Sequence, residues 1–162
     1  MILSQSSADK KLRRMALEIA ERNADKKELI IIGIKENGIF IAQKIAEYLA
    51  GVFPGKINTI SLTINKKDPG QVTLSEETDL RGKAVLLADD VANSGRTMLY
   101  ALRPLLDSYP AQIETLALVE RTHKLFPVAL NYIGLSVATS AEENIIVTTE
   151  QGEITGAEIR RN

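Results

Sequence analysis

The chain has 162 residues, with 20 lysines and arginines, 21 aspartates and glutamates, one histidine and no cysteine. This length fits one domain spanning residues 1–162, and the apolar fraction of 44% is ordinary for a globular protein with a buried core. The composition excludes disulfides, thiolate nucleophiles, cysteine-based zinc sites and any site that needs two histidines.

The hydropathy and charge of the chain indicate its cell compartment and the partners that it is expected to bind. Its longest apolar run, at 29–34, is far shorter than the roughly 20 residues that a membrane helix needs. No signal peptide pattern is present near the first residue, so we predict a cytoplasmic protein without membrane contact. The formal net charge of −1 argues against broad nucleic-acid binding, although it allows a local basic patch.

The first predicted element is a helix, because apolar residues recur at helical spacing over 12–20. Ser6 followed by Asp9 resembles an N-terminal capping box for this helix. The continuous apolar run at 29–32 then predicts a strand that is buried on both faces, as in a parallel sheet. Helical spacing over 39–49 predicts a second helix.

Alternation over 57–64 predicts a strand that is covered on one face, and the polar segment 65–78 predicts a long, flexible loop. A further buried strand is predicted at 84–88, and a helix at 97–106. The remaining predicted strands are one at 113–119 and short pieces at 132–133, 137 and 145–147. This order predicts an α/β fold with a mostly parallel, twisted sheet flanked by helices, and ligands beyond the carboxyl ends of its strands.

The strongest signal for chemistry lies between the buried strand at 84–88 and the helix after it. Gly95 lets the backbone turn tightly and approach a ligand closely. The N–H groups that open the helix near Arg96 and Thr97 lack helical acceptors, and the hydroxyls of Ser94 and Thr97 add donors. Together these groups predict a phosphate-binding loop.

Two adjacent carboxylates, Asp89 and Asp90, precede this loop. They would repel a phosphate, whereas they suit a vicinal diol or hydrated Mg²⁺, and a phosphate beside a diol describes a ribose 5-phosphate. A plain strand-to-helix turn with acids near the helix N-terminus would give the same residues, so that interpretation stays open. The sequence contains neither the Walker phosphate-loop motif nor a glycine-rich dinucleotide motif after either buried strand.

These residues resemble the signature of the type I phosphoribosyltransferases, in which four apolar residues, two acids and two apolar residues precede a Thr/Ser-Gly-x-Thr loop. The resemblance implies that Asp89 and Asp90 are the catalytic residues, contact the ribose hydroxyls of phosphoribosyl pyrophosphate, and reach the Mg²⁺ cofactor through water. It also implies that a phosphate loop binds the 5-phosphate. The residues of this loop are Ala92, Asn93, Ser94, Gly95, Arg96 and Thr97.

The segment 31–39 resembles the pyrophosphate loop of the pyrimidine operon attenuation regulators, which are bifunctional uracil phosphoribosyltransferases. Those regulators usually carry arginine where Asn37 stands, so the pyrophosphate half of the site is expected to be altered. Residues 118–140 parallel the hood of that subfamily, which places a small C-terminal hood at approximately 120–150. The residues expected to bind pyrophosphate through their amides are Lys35, Glu36, Asn37 and Gly38.

Several further residues are candidates for the site. In the flexible loop, Lys66 or Lys67 would close over the substrate and replace the missing arginine, although a solvated loop is the simpler interpretation. His123 is a candidate general base because its unperturbed pKa lies near neutrality, but a structural or surface histidine is favoured. The candidate walls of a base pocket, which core packing would explain equally well, are Phe126, Tyr132 and Ile133.

The resemblance implies transfer of a phosphoribosyl group from phosphoribosyl pyrophosphate to a nucleobase, with uracil favoured, by a homodimer or higher homo-oligomer. Such a transfer builds positive charge at the anomeric carbon and negative charge on pyrophosphate, so it needs positioning and electrostatic stabilisation rather than a covalent nucleophile.

Two alternatives remain. One is a nucleotide- or RNA-binding pyrimidine regulator of the same fold with weak or no transferase activity. RNA is disfavoured by the net charge and by Leu17, where RNA-binding members tend to have histidine, although residues 10–14 form a small basic end. The other, a receiver-like phosphoacceptor, is the least favoured, because its acidic pair would lie near the start of the chain.

Overall fold

The structure, a computed structural model, describes residues 1–65 and 67–162, so the prediction for Lys66 lies outside the described residues. The elements in chain order are β1 (Leu3–Ser4), α1 (Gln5–Arg22), β2 (Glu28–Ile34), α2 (Gly38–Leu49), β3 (Lys56–Ile64), β4 (Val72–Leu74), β5 (Ala84–Ala92), α3 (Arg96–Leu106), β6 (Gln112–Arg121), β7 (Tyr132–Val137), β8 (Glu143–Glu150) and β9 (Glu153–Arg161).

The main sheet has six strands in the order β4-β3-β2-β5-β6-β7. Neighbouring strands from β3 to β7 run parallel, and only β4 is antiparallel to its neighbour β3. The predicted α/β fold with a mostly parallel sheet is therefore confirmed. All five parallel strands end at the same edge, which is where the sequence places its candidate ligand-binding loops.

The continuous apolar run in β2 is explained by burial on both faces of the sheet. Because successive strand residues point in opposite directions, Leu29 and Ile31 belong to one core layer, and Ile30 and Ile32 to the other. Helices α1 and α2 cover the first layer, and α3 covers the second. In β3, by contrast, Thr59 and Thr63 are exposed, as the alternating pattern predicts.

The N-cap of helix α1 lies two residues before the predicted one. Its N-cap is Ser4, whose hydroxyl accepts a hydrogen bond from the Ser7 N–H at 3.2 Å. Ser6 and Asp9 lie inside the helix, so the predicted cap is wrong. The predicted buried face of the helix is confirmed, because its residues from Leu12 to Ile19 at helical spacing are buried.

A second sheet has three antiparallel strands in the order β1-β9-β8. Its inner residues, which include Ile145 and Val147, join the same core layer as α1 and α2. The predicted hood at 120–150 differs from this second sheet. It includes β7, which belongs to the main sheet, and it leaves out β1 and β9. No helix within residues 1–65 and 67–162 is both long and apolar enough to span a membrane.

Candidate active site

A cleft of about 290 Å³ opens at the carboxyl edge of the main sheet. The pyrophosphate loop (35–38) follows β2, and the phosphate loop (92–97) leads from β5 into α3. The predicted site residues that line this cleft are Lys35, Glu36, Asn37, Asp89, Asp90, Ala92, Asn93, Ser94, Gly95 and Thr97. The structure thus brings together two segments that the sequence separates by more than fifty residues.

Gly38 lies directly behind the acidic pair. A Cβ atom at this position would lie 2.8 Å from the carbonyl oxygen of Ala88 and 3.1 Å from Oδ1 of Asp89. The first turn of α2 can therefore contact the end of β5 only because residue 38 has no side chain. This close approach holds the pyrophosphate loop against the two carboxylates.

Asp89 and Asp90 differ in their surroundings. Asp89 is 8% exposed, and its burial, followed by the negative charge of Asp90, raises the pKa of its carboxyl well above the ordinary value. Its Oδ1 accepts the Asp90 N–H at 2.9 Å, while Oδ1 of Asp90 accepts the Val91 N–H at 2.8 Å. The site therefore holds two adjacent acids, of which the buried one resists ionisation.

The predicted phosphate loop is held by the segment that follows β6. The Ser94 carbonyl accepts the N–H groups of Leu125 and Phe126, each at 3.0 Å. Gly95 adopts φ of 82°, and a Cβ there would lie 2.7 Å from Cγ1 of Val128. The Arg96 N–H donates to the Ser94 hydroxyl at 3.2 Å, so two of the predicted phosphate donors bond to each other.

Asn93 uses its side chain to hold the second sheet. Its Nδ2 donates to the Ile145 carbonyl at 2.9 Å, and its Oδ1 accepts the Ile145 N–H at 3.0 Å. The amide therefore pairs with one residue of β8 as a neighbouring strand would. Asn93 lines the cleft, but both polar atoms of its side chain already have partners.

Asn37 also contacts β8. Its Nδ2 donates to Oδ2 of Asp90 at 3.0 Å and to the Val147 carbonyl at 3.4 Å, and its Oδ1 accepts the Thr149 hydroxyl at 3.4 Å. Neither asparagine contact with β8 was predicted from the sequence. No sequence signal could have shown them, because these bonds join residues 52 to 112 positions apart and leave no periodic pattern.

A smaller cavity of about 180 Å³ adjoins the cleft and shares Lys35 and Thr97 with it. Arg96, which does not line the main cleft, borders this cavity together with Ile64 and Pro69. Lys67 is exposed and lines neither cavity. Of the cations predicted for the site, Lys35 therefore lines the cleft and Arg96 the neighbouring cavity, whereas Lys67 of the predicted flexible loop lines neither.

The candidate residues of the base pocket lie in different places. Phe126 is next to the phosphate loop, as its bond to Ser94 shows. Tyr132 and Ile133 begin β7, which lies two strands away from the acidic pair on β5. Tyr132 is buried, and its hydroxyl donates to Glu114 at 2.9 Å. The structure therefore does not bring Tyr132 or Ile133 to the cleft. His123 is exposed beyond the end of β6 and does not line it either.

One ion pair at the carboxyl edge was not anticipated. Nζ of Lys124 lies 2.6 Å from Oε2 of Glu120, and each side chain is only 13% exposed. The Ser136 hydroxyl donates to the other oxygen of Glu120 at 2.8 Å. A spacing of four residues predicts a contact on a helix, whereas here Glu120 lies in β6 and Lys124 in the segment after it.

Comparison with known proteins agrees with this geometry. The family model described as "Phosphoribosyl transferase domain" matches residues 1–151. The "Bifunctional protein PyrR" of Clostridium botulinum is 33% identical over 156 residues, covering 90% of this chain and 87% of that protein. The protein of the same name from Bacillus cereus strain B4264 is 33% identical over 164 residues, covering 93% and 91%.

Solved structures resemble the chain in fold. The hypoxanthine phosphoribosyltransferase of Trypanosoma cruzi superimposes with a TM-score of 0.81 at 14% identity, covering 96% of this chain and 94% of that one. A hypoxanthine-guanine phosphoribosyltransferase from Bacillus anthracis gives a TM-score of 0.71 at 18% identity, covering 90% and 85%. At these identities the likeness concerns the fold alone.

Proposed function

The chain belongs to the type I phosphoribosyltransferases, in the PyrR subfamily of these pentosyltransferases, and we propose that its cleft transfers a phosphoribosyl group from phosphoribosyl pyrophosphate to uracil. The observation that carries this proposal is the placement of the Asp89–Asp90 pair and the phosphate loop on the walls of one cleft. A ribose 5-phosphate presents a diol and a dianion, and these two walls match both groups.

The phosphate loop is suited to the 5-phosphate. Gly95 is the N-cap of α3, so the positive end of the helix dipole and its unpaired N–H groups point toward an anion there. When the phosphate binds, we expect the Arg96 N–H and the Ser94 hydroxyl to exchange their mutual bond for phosphate oxygens. The ribose hydroxyls then donate to the carboxylates of Asp89 and Asp90.

The chemistry follows from these positions. As the bond from the anomeric carbon to pyrophosphate breaks, positive charge develops on the ribose, and the nearby acidic pair stabilises it. The pyrophosphate loop and Lys35 lie at the neighbouring wall, where the leaving group gains negative charge. The nucleobase nitrogen forms the new bond to the anomeric carbon, and no covalent intermediate with the protein is required.

Mg²⁺ is the proposed cofactor. The residues that the structure describes include no cluster of three or more histidine or acidic side chains, so the protein alone offers no complete cage for the ion. The adjacent carboxylates at the cleft fit an ion that takes most of its ligands from the pyrophosphate oxygens and water. When bound, Mg²⁺ neutralises charge on the leaving group.

The base is tested by incubating the protein with phosphoribosyl pyrophosphate and Mg²⁺ and, separately, with uracil, hypoxanthine, guanine, adenine or orotate. Pyrophosphate release and the new nucleotide are measured together. We expect turnover with uracil. Turnover with a purine alone would refute the choice of uracil, and failure with every base would refute the transferase.

A first prediction concerns the acidic pair. Asp89→Asn and Asp90→Asn should each weaken donor binding by about tenfold or more, because each removes a charged hydrogen-bond acceptor for a ribose hydroxyl. Calorimetric titration with phosphoribosyl pyrophosphate measures the change. Asp107→Asn, at the exposed C-terminal end of α3, is the control with the same loss of charge. Unchanged affinity in both site variants would refute the assignment of these acids to the diol.

The regulator is the second proposal, since the relatives carry the name "Bifunctional protein PyrR". The basic end of α1 gives RNA little support. Arg13 bonds to Asp9 and stacks on Tyr48, with its guanidinium 4.3 Å from the ring centre. Arg14 bonds to Glu18 and to carbonyls of β7. Donor binding without turnover on any base would favour a nucleotide-responsive regulator.

We also propose a homodimer or higher oligomer in the cytoplasm. Two large apolar side chains, Leu17 and Val52, are 57% and 46% exposed and border a common groove with Tyr48. Such neighbours suit a contact with a second copy. Light scattering of the purified protein measures the mass in solution, and a monomer at micromolar concentration would refute the oligomer.

A further inference from the structure

We propose, on the basis of the function above, that Asn37 is a positioning residue that orients the Asp90 carboxylate and links it to β8. The side chain does not contact the donor in this proposal. It acts through Asp90, while the backbone of residue 37 remains available to pyrophosphate.

Both oxygens of Asp90 are held by hydrogen bonds. Oδ1 accepts the N–H of Val91 at 2.8 Å, and Oδ2 accepts Nδ2 of Asn37 at 3.0 Å. None of the ion pairs among residues 1–65 and 67–162 includes Asp90. The neutral amide of Asn37 therefore holds the Asp90 carboxylate in place. Because the amide carries no charge, Asp90 keeps its negative charge for the ribose hydroxyls.

Asn37 is itself held by the second sheet. The Val147 carbonyl and the Thr149 hydroxyl bond to the two ends of its amide, each at 3.4 Å. The Val147 carbonyl belongs to the same edge of β8 that presents the N–H and carbonyl of Ile145 to Asn93. Thr149 contacts Asn37 through its side chain, directly after the register shift between Thr148 and Thr149.

The strand that holds Asn37 is fixed in the core, because Ile145 and Val147 are almost fully buried. The path from core to carboxylate is therefore short: the buried strand positions Asn37, and Asn37 positions Asp90. An oriented acceptor loses little conformational freedom when a hydroxyl binds, so the expected benefit is tighter binding of the donor.

A double-mutant cycle on donor affinity tests this chain of contacts. Alanine at position 37 keeps the backbone amide and removes only the amide side chain. We expect Asn37→Ala to weaken binding of phosphoribosyl pyrophosphate by about tenfold in the wild-type background and by less than about twofold when Asp90→Asn is already present. Calorimetry gives the affinity, and steady-state kinetics should show a raised KM with kcat nearly unchanged.

Thr149→Val and Thr148→Val form a matched pair for the link to β8. Thr149 donates to Asn37, whereas the Thr148 hydroxyl bonds to the Gly156 carbonyl within the second sheet. Thr149→Val should weaken donor binding and show the same dependence on Asp90, and Thr148→Val should leave donor binding unchanged. This pair also tests the proposal if Asn37→Ala fails to fold.

The outcomes separate this proposal from the function on which it depends. Equal effects of Asn37→Ala with and without Asp90→Asn would overturn the positioning role and leave the transferase in place. Equal effects of the two threonine variants would overturn the link to β8. Failure of the wild-type protein to bind the donor would overturn the proposed function and this inference together.

Discussion

Among single residues, Asp89 lies in an environment that disfavours its own negative charge. Burial and the neighbouring Asp90 raise the pKa of its carboxyl in the folded protein, whereas in the unfolded chain the pKa returns to its ordinary value near 3.8. The folded state therefore binds the proton more tightly. This contribution to stability is fully present below the unfolded pKa and is lost as the pH rises through the folded pKa.

Asp89→Asn should consequently be more stable than the wild type at neutral pH when neither Mg²⁺ nor donor is present. The difference should shrink as the pH is lowered toward 4, because the wild-type carboxyl then becomes protonated. Thermal unfolding of both proteins between pH 4 and 8 measures this. Asp107→Asn, an exposed position, is the control. A constant difference across the whole range would contradict the buried, charge-coupled environment of Asp89.

Gly95 allows a paired prediction, since Gly82 shares its left-handed backbone but not its crowding. Alanine costs about 1–2 kcal/mol at either position because of the positive φ. At Gly95 the new methyl group also meets Val128, which adds about 1–3 kcal/mol, whereas nothing lies within 4 Å at Gly82. Chemical denaturation measures both losses. An equal loss in the two variants would show that the phosphate loop relaxes around the extra carbon.

At the scale of elements, the helices and strands predicted from the sequence are those whose buried residues form a regular apolar pattern. Strands β2 and β5 are continuous runs buried on both faces, and α2 and α3 repeat at helical spacing. Strand β9 was missed because its nine residues bury few large apolar side chains. The turn between β8 and β9 was missed as well. Gln151 and Gly152 both have positive φ, as a tight hairpin requires. Asparagine or aspartate is typical at the first of these positions, and glutamine is not.

The buried polar group at the start of β7 gives a prediction at this scale. The Tyr132 hydroxyl donates to Glu114 and lies 3.3 Å from Nδ2 of Asn23, and Tyr132 does not line the cleft. Tyr132→Phe should therefore lower the free energy of unfolding by about 1–3 kcal/mol and leave the KM for uracil unchanged. Tyr109→Phe, at an exposed tyrosine, is the control. A raised KM for uracil would return Tyr132 to the base pocket.

At the scale of the whole molecule, the cleft depends on both sheets. The predicted phosphate loop and the acidic pair could be proposed from the sequence because each lies within one short segment with its own chemical signature. The second sheet could not be assigned to the cleft in this way. Its contribution comes through amide side chains that meet the backbone of a distant strand, and such bonds depend on tertiary packing alone.

The order in which the strands of the second sheet are translated determines when a growing chain can bind the donor. Strand β1 pairs with β9, with Leu3 opposite Ala157, so the two ends of the described fold meet in this sheet. Strand β8 is translated after both of the loops that it contacts. At typical rates of about 5–20 residues per second, the loops at 35–38 and 92–97 wait on the order of seconds for this strand. During translation the two loops that are predicted to bind the donor are therefore made before the strand that contacts them. We expect donor binding to begin only once β8 and β9 have left the ribosome.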